Sequence, residues 1–416
     1  MTAADKPKAP TDRFYVPQLD GLRFCAFLLV FIHHIAILQI CFGPRSPLTP
    51  YILRLQQFGW CGVDLFLVLS AFLITTLLLL EYDRHKDISV RGFYLRRMLR
   101  IWPLYYLMTA ASFYLFPLLE FYAPPWASVH HVGMIKEYAL PYFTLFGNYA
   151  AGAKGYPPVM TLAVLWTVTL EEQFYLVWPL LFWALLRVRR GFWWITLGAL
   201  LALSVGLRMY LRTHTAHPYI WTYTPARLDP LLMGIAVAIW RHRHAARPGW
   251  LFPALKTLLG GAIVGTITLG PGIETHSKWV VWQFLATAVG FALILDAVLS
   301  LQRNPFSWIL SRRPLVWLGK LTYGLYVYHI VGMQLADRLI RVLHPAHWPK
   351  TPAVSALLRF TLALGLTLLL AALSYRLFES HFLRLKDRFS RVKSRPVAKS
   401  DEATPDAPGP QQAAAQ

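Results

Sequence analysis

Charge is scarce in this chain: Asp, Glu, Lys and Arg make up only 15% of its 416 residues, against about 25% in soluble domains. With 56% hydrophobic and 15% aromatic residues, that shortage excludes an ordinary soluble domain and places the sequence among membrane proteins. Cysteine is scarcer still. Cys25, Cys41 and Cys61 are the full complement, with no C-x-x-C pair and no Cys/His spacing of a zinc site, so no metal is expected. Cys41 and Cys61 stand at opposite ends of the first loop outside the cytoplasm, where a disulfide could persist if the two meet. No repeat of fixed period occurs, and no stretch is left over for a second globular domain. The start through Gln18 is polar, and the first apolar run holds adjacent histidines without an A-x-A type site. That run reads as a retained helix, not a cleaved leader.

Acidic residues are the rarer charge, 20 against 41 basic, for a formal net charge of +21. A nucleic-acid binder gathers such an excess on one folded face. Here it sits in short gaps between apolar runs, so nucleic acid is not an expected partner. About 20 apolar residues cross the hydrocarbon core as a helix, and unpaired backbone in lipid permits only helices or closed barrels. The runs predict an all-α, polytopic membrane protein of about ten transmembrane helices, near 22–41, 61–80, 98–118, 163–186, 192–210, 228–240, 251–270, 279–300, 315–340 and 354–378. Basic clusters at Arg84 to Arg100, Arg187 to Arg190, Arg241 to Arg247, Arg303 to Arg313 and Arg384 to Lys399 fall in alternate loops and mark the cytoplasmic side. Ten spans with both termini in the cytoplasm satisfy that rule. The organisation expected is a cytoplasmic segment 1–18, a transmembrane domain 19–383, and a basic then Pro/Ala-rich tail 384–416 too polar to bury a core. The long outer connection 119–162, with His130 and His131, reads as an ordered lid.

Ionisable groups inside spans are costly, so each marks either function or a partnered polar contact. Arg23 and His34 lie eleven residues apart on the first helix, which returns them to within about 20° of one face, roughly 16 Å apart along the axis. Both can line one vertical channel, with His33 turned about 100° away into a packing or secondary contact. Glu171 and Glu172 lie on the order of 12 Å below the outer end of the fourth helix, a depth similar to that of His34. A carboxylate beside that imidazole would suit a general base; a buried ion pair joining two helices is the alternative. Arg97 and Arg100, one turn apart at a cytoplasmic helix start, are able to bind phosphates in bidentate fashion, or simply to serve topology and lipid headgroups. Asp64, Ser70, Asp229, Tyr323, Tyr326 and His329 complete the intramembrane polar set. Ser70 has its own backbone as an alternative partner, and the two tyrosines have core packing. His329 reads as either a ligand contact or helix glue.

Taken in order, these segments resemble the membrane acyltransferase 3 family of bacterial O-acyltransferases. LDGLRFCAFLLVFIHH, GVDLFLVLSAFLI, FYLRRMLRIWPLYYL, WTVTLEEQFYLVWP, LGKLTYGLYVYH and LSYRLFES are similar to family signatures spread along nearly the whole chain, and they include His329 and Glu379. Two departures are Ala71, where a Gly is usual after Ser70, and His381, where a Pro is usual. The resemblance implies a ten-helix core in the bacterial inner membrane. It implies an acyl-CoA donor, by default acetyl-CoA, held by Arg23, Arg97 and Arg100, and a catalytic His34 supported by Glu171. No bound cofactor is implied. Some relatives carry a C-terminal hydrolase-like domain, and the tail here is too short for one, so a stand-alone enzyme or one with a separate partner is expected.

The expected reaction moves an acyl group to a hydroxyl of a glycan or glycolipid, such as a surface polysaccharide, lipopolysaccharide or peptidoglycan. Acylation of a small metabolite such as a macrolide sugar is a rival acceptor class. A transporter or carrier of lipid-linked sugars is a rival from outside the enzymes, and it predicts an inverted repeat that the sequence does not show. Direct transfer and a covalent acyl intermediate are both compatible with these residues.

Overall fold

Each of the ten segments that the apolar runs predict as spans contains a helix among its described residues in a computed structural model, which describes residues 14–35, 49–119, 132–189, 191–244, 249–269, 277–300, 305–343 and 352–392. The helices are α1 (Pro17–Ile35), α2 (Cys61–His85), α3 (Val90–Leu118), α4 (Trp166–Leu185), α5 (Gly191–His214), α6 (Asp229–Arg243), α7 (Leu251–Leu269), α8 (Trp279–Ser300), α9 (Thr322–Leu343) and α10 (Pro352–Ser374). No strand occurs among the described residues. Six described helical stretches are long and apolar enough to cross a membrane: Pro17–Ile35, Gln56–His85, Gly191–His214, Leu251–Thr268, Trp279–Ser300 and Val354–Asp387. The protein is therefore a multi-pass membrane protein. The helices α3, α4, α6 and α9 fall below that mark; α6 has only 15 residues, and α4 and α9 carry many of the polar groups described below.

Two boundaries differ from the sequence expectation for identifiable reasons. The helix α3 begins eight residues before the expected position 98, because the Ser89 hydroxyl caps it by accepting the Gly92 amide at 3.1 Å. Ser is among the best residues for that task. As a result Arg97 and Arg100 sit within the helix and not at its start. The expected span 315–340 is broken into a short helix, Arg313–Lys320, and α9. At the break Gly319 lies directly against the backbone of Asp20 in α1, where a Cβ would collide. Gly234 of α6 likewise meets the Val68 carbonyl of α2. Small residues at such crossings let membrane helices pack backbone to backbone, where lipid supplies no hydrophobic drive between them.

These approaches set the bundle. The helix α1 packs on α2, on Arg313–Lys320 and on α9; α2 packs on α6; α7 pairs with α8 and α9 with α10. The end of α10 widens into a π-helical turn, Tyr375–Glu379, followed by the helix Ser380–Asp387, which returns against α3. Parts of the outer connection are ordered: Val132–Tyr138, Ala139–Phe143 and Gly147–Lys154 are short helices. Asn148 is fully buried there, donating to the Thr222 carbonyl (2.9 Å) and Thr224 hydroxyl (2.8 Å) while accepting from Thr169 (3.1 Å) and Gln173 (2.8 Å). His130 and His131, Cys41, most of segment 1–18 and the tail from residue 393 lie outside the described residues.

Candidate active site

The last turn of α1 and the middle of α9 bring two imidazoles together. His34 Nδ1 lies 2.9 Å from the Val30 carbonyl and 3.3 Å from Nε2 of His329, and the rings are 4.9 Å apart. His329 is fully buried, and its Nδ1 faces the Tyr326 carbonyl one turn earlier. His34 is only partly buried. His33 stands edge-on to His34, at 84° and 5.1 Å between centroids, and its Nδ1 approaches the Gln56 carbonyl at 3.2 Å. Tyr326 and Thr167 hydroxyls are 2.6 Å apart, and both reach the Val164 carbonyl, at 3.0 and 3.2 Å. This ties α9 to α4 immediately below the histidines.

A second polar group forms where α2, α3, α4 and the end of α10 converge. The Tyr175 hydroxyl donates to Glu171 and lies in hydrogen-bonding range of Ser70. Trp102 donates from its indole N–H to Glu172 at 2.7 Å. The Arg97 guanidinium lies 5.6 Å from the Tyr175 ring and 5.7 Å from that of Phe93, within the electrostatic reach of Glu172. Its Nε is buried without a hydrogen-bond partner among the described residues. Glu379, delivered inward by the π-helical turn, accepts from Ser374 at 3.1 Å and feels the charge of Arg100. Tyr323 donates to the Ile101 carbonyl at 2.7 Å, in the field of all three carboxylates.

The expected placement needs two corrections. The group against His34 is His329, not Glu171; the carboxylate instead holds Tyr175 beside Arg97. The wheel arithmetic on α4 fixed a depth for Glu171 but not the direction in which its face turns. Arg97 and Arg100, expected at a helix start, lie inside α3, and Arg23 pairs with Asp20 of its own helix at 3.1 Å, which also accepts from Tyr15 at 3.0 Å.

Asp64 and Asp229 belong to a separate buried network. Arg227 pairs with Asp64, and Arg208 pairs with both oxygens of Asp229, at 2.5 and 2.8 Å, with all four side chains at most 1% exposed. Arg208 also donates to the Ala226 and Val281 carbonyls, and the Phe284 ring lies 3.9 Å from the Arg227 guanidinium. These contacts join α2, α5, α6 and α8. The sequence reading singled out neither arginine, although Arg208 was visible as a lone charge inside an apolar run. Trp102 and Tyr175 were also missed; nothing local marks Glu172 as the partner of Trp102, whereas Glu171 lies one turn before Tyr175 on α4. Among the described residues no cluster of His, Cys, Asp and Glu could hold a metal ion.

Fold and polar groups together define a multi-pass membrane protein, without strands among the described residues, that holds a polar site between its helices. Residues 16–376 match the family model described as an acyltransferase domain, and the chain belongs to that family. It is 26% identical over 427 aligned positions to the peptidoglycan O-acetyltransferase OatA of Listeria monocytogenes, covering 93% of this chain and 60% of that protein. It is 24% identical to the putative peptidoglycan O-acetyltransferase YrhL of Bacillus subtilis, covering 88% of this chain and 54% of the relative. A putative O-acetyltransferase of Staphylococcus aureus is 27% identical, with 88% and 57% covered. The chain thus spans little more than half the length of these curated relatives. No solved structure matches it.

Proposed function

We propose that the protein is a membrane O-acyltransferase that moves an acetyl group from acetyl-CoA to a hydroxyl of an envelope glycan. One observation carries the reading: a partly accessible imidazole, His34, is backed by a buried one within the span, in a bundle that also holds Arg97 with an unpartnered buried nitrogen. His34 Nε2 takes the proton of the acceptor hydroxyl as its oxygen attacks the thioester carbonyl. The C–O bond forms, the C–S bond breaks, and the departing thiolate takes the proton from His34, leaving CoA thiol and an acetyl ester. General-base help of this kind is worth about 10²–10⁴-fold.

Arg97 and Arg100 hold the phosphates of the donor, with Arg23 nearer the cytoplasmic mouth. Guanidinium suits that role because its fork of donors matches phosphate oxygens. An anionic nucleotide kept at this level avoids the cost of taking its charge into hydrocarbon. Glu171 acts one step removed, by fixing Tyr175 and Arg97. The relatives named as peptidoglycan O-acetyltransferases support a glycan acceptor. The basic loops support a cytoplasmic face for the arginines, both termini in the cytoplasm and an inner-membrane location.

The test is turnover by the purified full chain in nanodiscs, with labelled acetyl-CoA and a short peptidoglycan oligosaccharide. Release of CoA thiol with acetyl ester on the sugar is expected, and its loss in His34→Ala. Folded protein that releases no thiol from acetyl-CoA, or a His34→Ala variant with wild-type turnover, would overturn the proposal.

A further inference from the structure

We infer that His329 is a positioning residue, which accepts from the Nδ1–H of His34, holds that ring in place and shares the positive charge that His34 gains on taking a proton. This rests on the reading of His34 as the base.

The protons can be placed by elimination. A carbonyl oxygen only accepts, so a ring nitrogen held against one must carry hydrogen, and a neutral imidazole has a single N–H. His329 Nδ1 faces the Tyr326 carbonyl, which leaves its Nε2 as a lone pair. That lone pair looks at His34 Nδ1 from 3.3 Å, and the same Nδ1 is 2.9 Å from the Val30 carbonyl. His34 Nδ1 therefore carries its hydrogen, shared between two acceptors. The lone pair of His34 is forced onto Nε2, the nitrogen left to meet a substrate. His33 cannot supply a competing arrangement, since its own Nδ1 is committed to the Gln56 carbonyl at 3.2 Å.

Burial divides the labour in the same sense. His329 has no exposure, whereas His34 keeps some, so the outer ring meets the substrate and the inner ring holds it. The register of His329 is secured from below, because Tyr326 is tied to Thr167 and Val164 of the α4 side. The choice of a second imidazole, where a carboxylate might be expected, has a physical consequence. A carboxylate would place a permanent charge among apolar helices, at a desolvation cost. A neutral ring accepts from the same N–H without one. When His34 takes a proton at Nε2, its Nδ1–H is already aimed at two acceptors, and the imidazolium is met by groups that need no rearrangement.

Two variants separate this role from simple packing. His329→Phe keeps ring volume and removes the acceptor; His329→Gln restores one, since its amide oxygen can take the same N–H. In nanodiscs with acetyl-CoA and oligosaccharide, the Phe variant should lose kcat by about 10²-fold with KM for the donor nearly unchanged, a loss within the range that a displaced base accounts for. The Gln variant should return to within about tenfold of wild type. Nitrogen-15 spectra of His-labelled protein, with the His34 signal identified by its absence in His34→Ala, should show His34 Nε2 unprotonated in wild type and His329→Phe alike, with the Nδ1–H resonance shifted in His329→Phe, where the Val30 carbonyl alone accepts it. A Phe variant with wild-type kcat, a Gln variant no better than Phe, or a wild-type His34 protonated at Nε2 would each overturn the inference. Full turnover in His34→Ala would remove the base reading itself, and the nitrogen spectra would still report whether His329 accepts from the Nδ1–H of His34.

Discussion

Arg97 occupies an unusual position for a charged side chain: it lies near two aromatic rings and the Glu172 carboxylate, with one nitrogen unsatisfied among the described residues. A buried donor without a partner costs about 1–3 kcal/mol, and a donor phosphate in this site would supply the missing acceptor. Arg97→Lys keeps the charge but loses the planar fork, so it should raise KM for acetyl-CoA by about tenfold, the equivalent of one hydrogen bond to a charged group, with kcat much less affected. Equal KM in wild type and variant, in steady-state thiol release, would exclude Arg97 from donor binding. The same site shows what was legible at this scale. His34, His329, Arg97 and Glu171 stand out in the sequence because ionisable groups in apolar runs are rare. Their pairing does not, because helical spacing fixes a face on one helix and says nothing of which neighbour that face meets. Trp102 gave no signal, since its partner Glu172 lies 70 positions away, whereas Tyr175 stands at i, i+4 from Glu171 on one helix face and was readable from that spacing.

At the scale of elements, the helices follow from apolar length, and the irregularities follow from single residues. Gly319 ends the short helix Arg313–Lys320 against the Asp20 backbone, and so sets where α9 starts and the height at which His329 meets α1. A side chain there must push the helices apart. Gly319→Val should cost about 1–3 kcal/mol, the usual range for overpacking, and should also lower kcat by moving His329 away from His34. Thermal unfolding in detergent alongside turnover checks both; a variant with normal melting and normal kcat would contradict this role for the crossing. The only local mark of the break is the pair Gly319 and Lys320, which interrupts the apolar run without a proline. The early start of α3 was readable in principle from Ser89, a good cap, but the basic run that follows it pointed to a loop.

Across the whole molecule, one polar system that holds the bundle lies apart from the candidate site. The Arg227–Asp64 and Arg208–Asp229 pairs pin α2, α5, α6 and α8, apart from the histidines and without exposure. Breaking one buried partner strands a charge, at about 3–5 kcal/mol, so Asp229→Asn should lower the melting midpoint sharply while the molecules that remain folded keep their KM for donor. A variant with unchanged melting would show that the pair carries little of the structure. Asp64 and Asp229 were legible as unusual residues but not as structural ones, since their partners lie 163 and 21 positions away.

The central claim joins the remaining polar system to the membrane: a donor bound at Arg97 and Arg100 on the cytoplasmic side delivers its acyl group upward to His34 near the outer face. Sided proteoliposomes test it most directly, with acetyl-CoA supplied only at the cytoplasmic surface and the oligosaccharide only at the other. Acetyl ester should form on the glycan across the bilayer, vanish in His34→Ala, and require more donor in Arg97→Lys. Transfer that occurs only when donor and glycan share one side, or that persists unchanged in both variants, would contradict it.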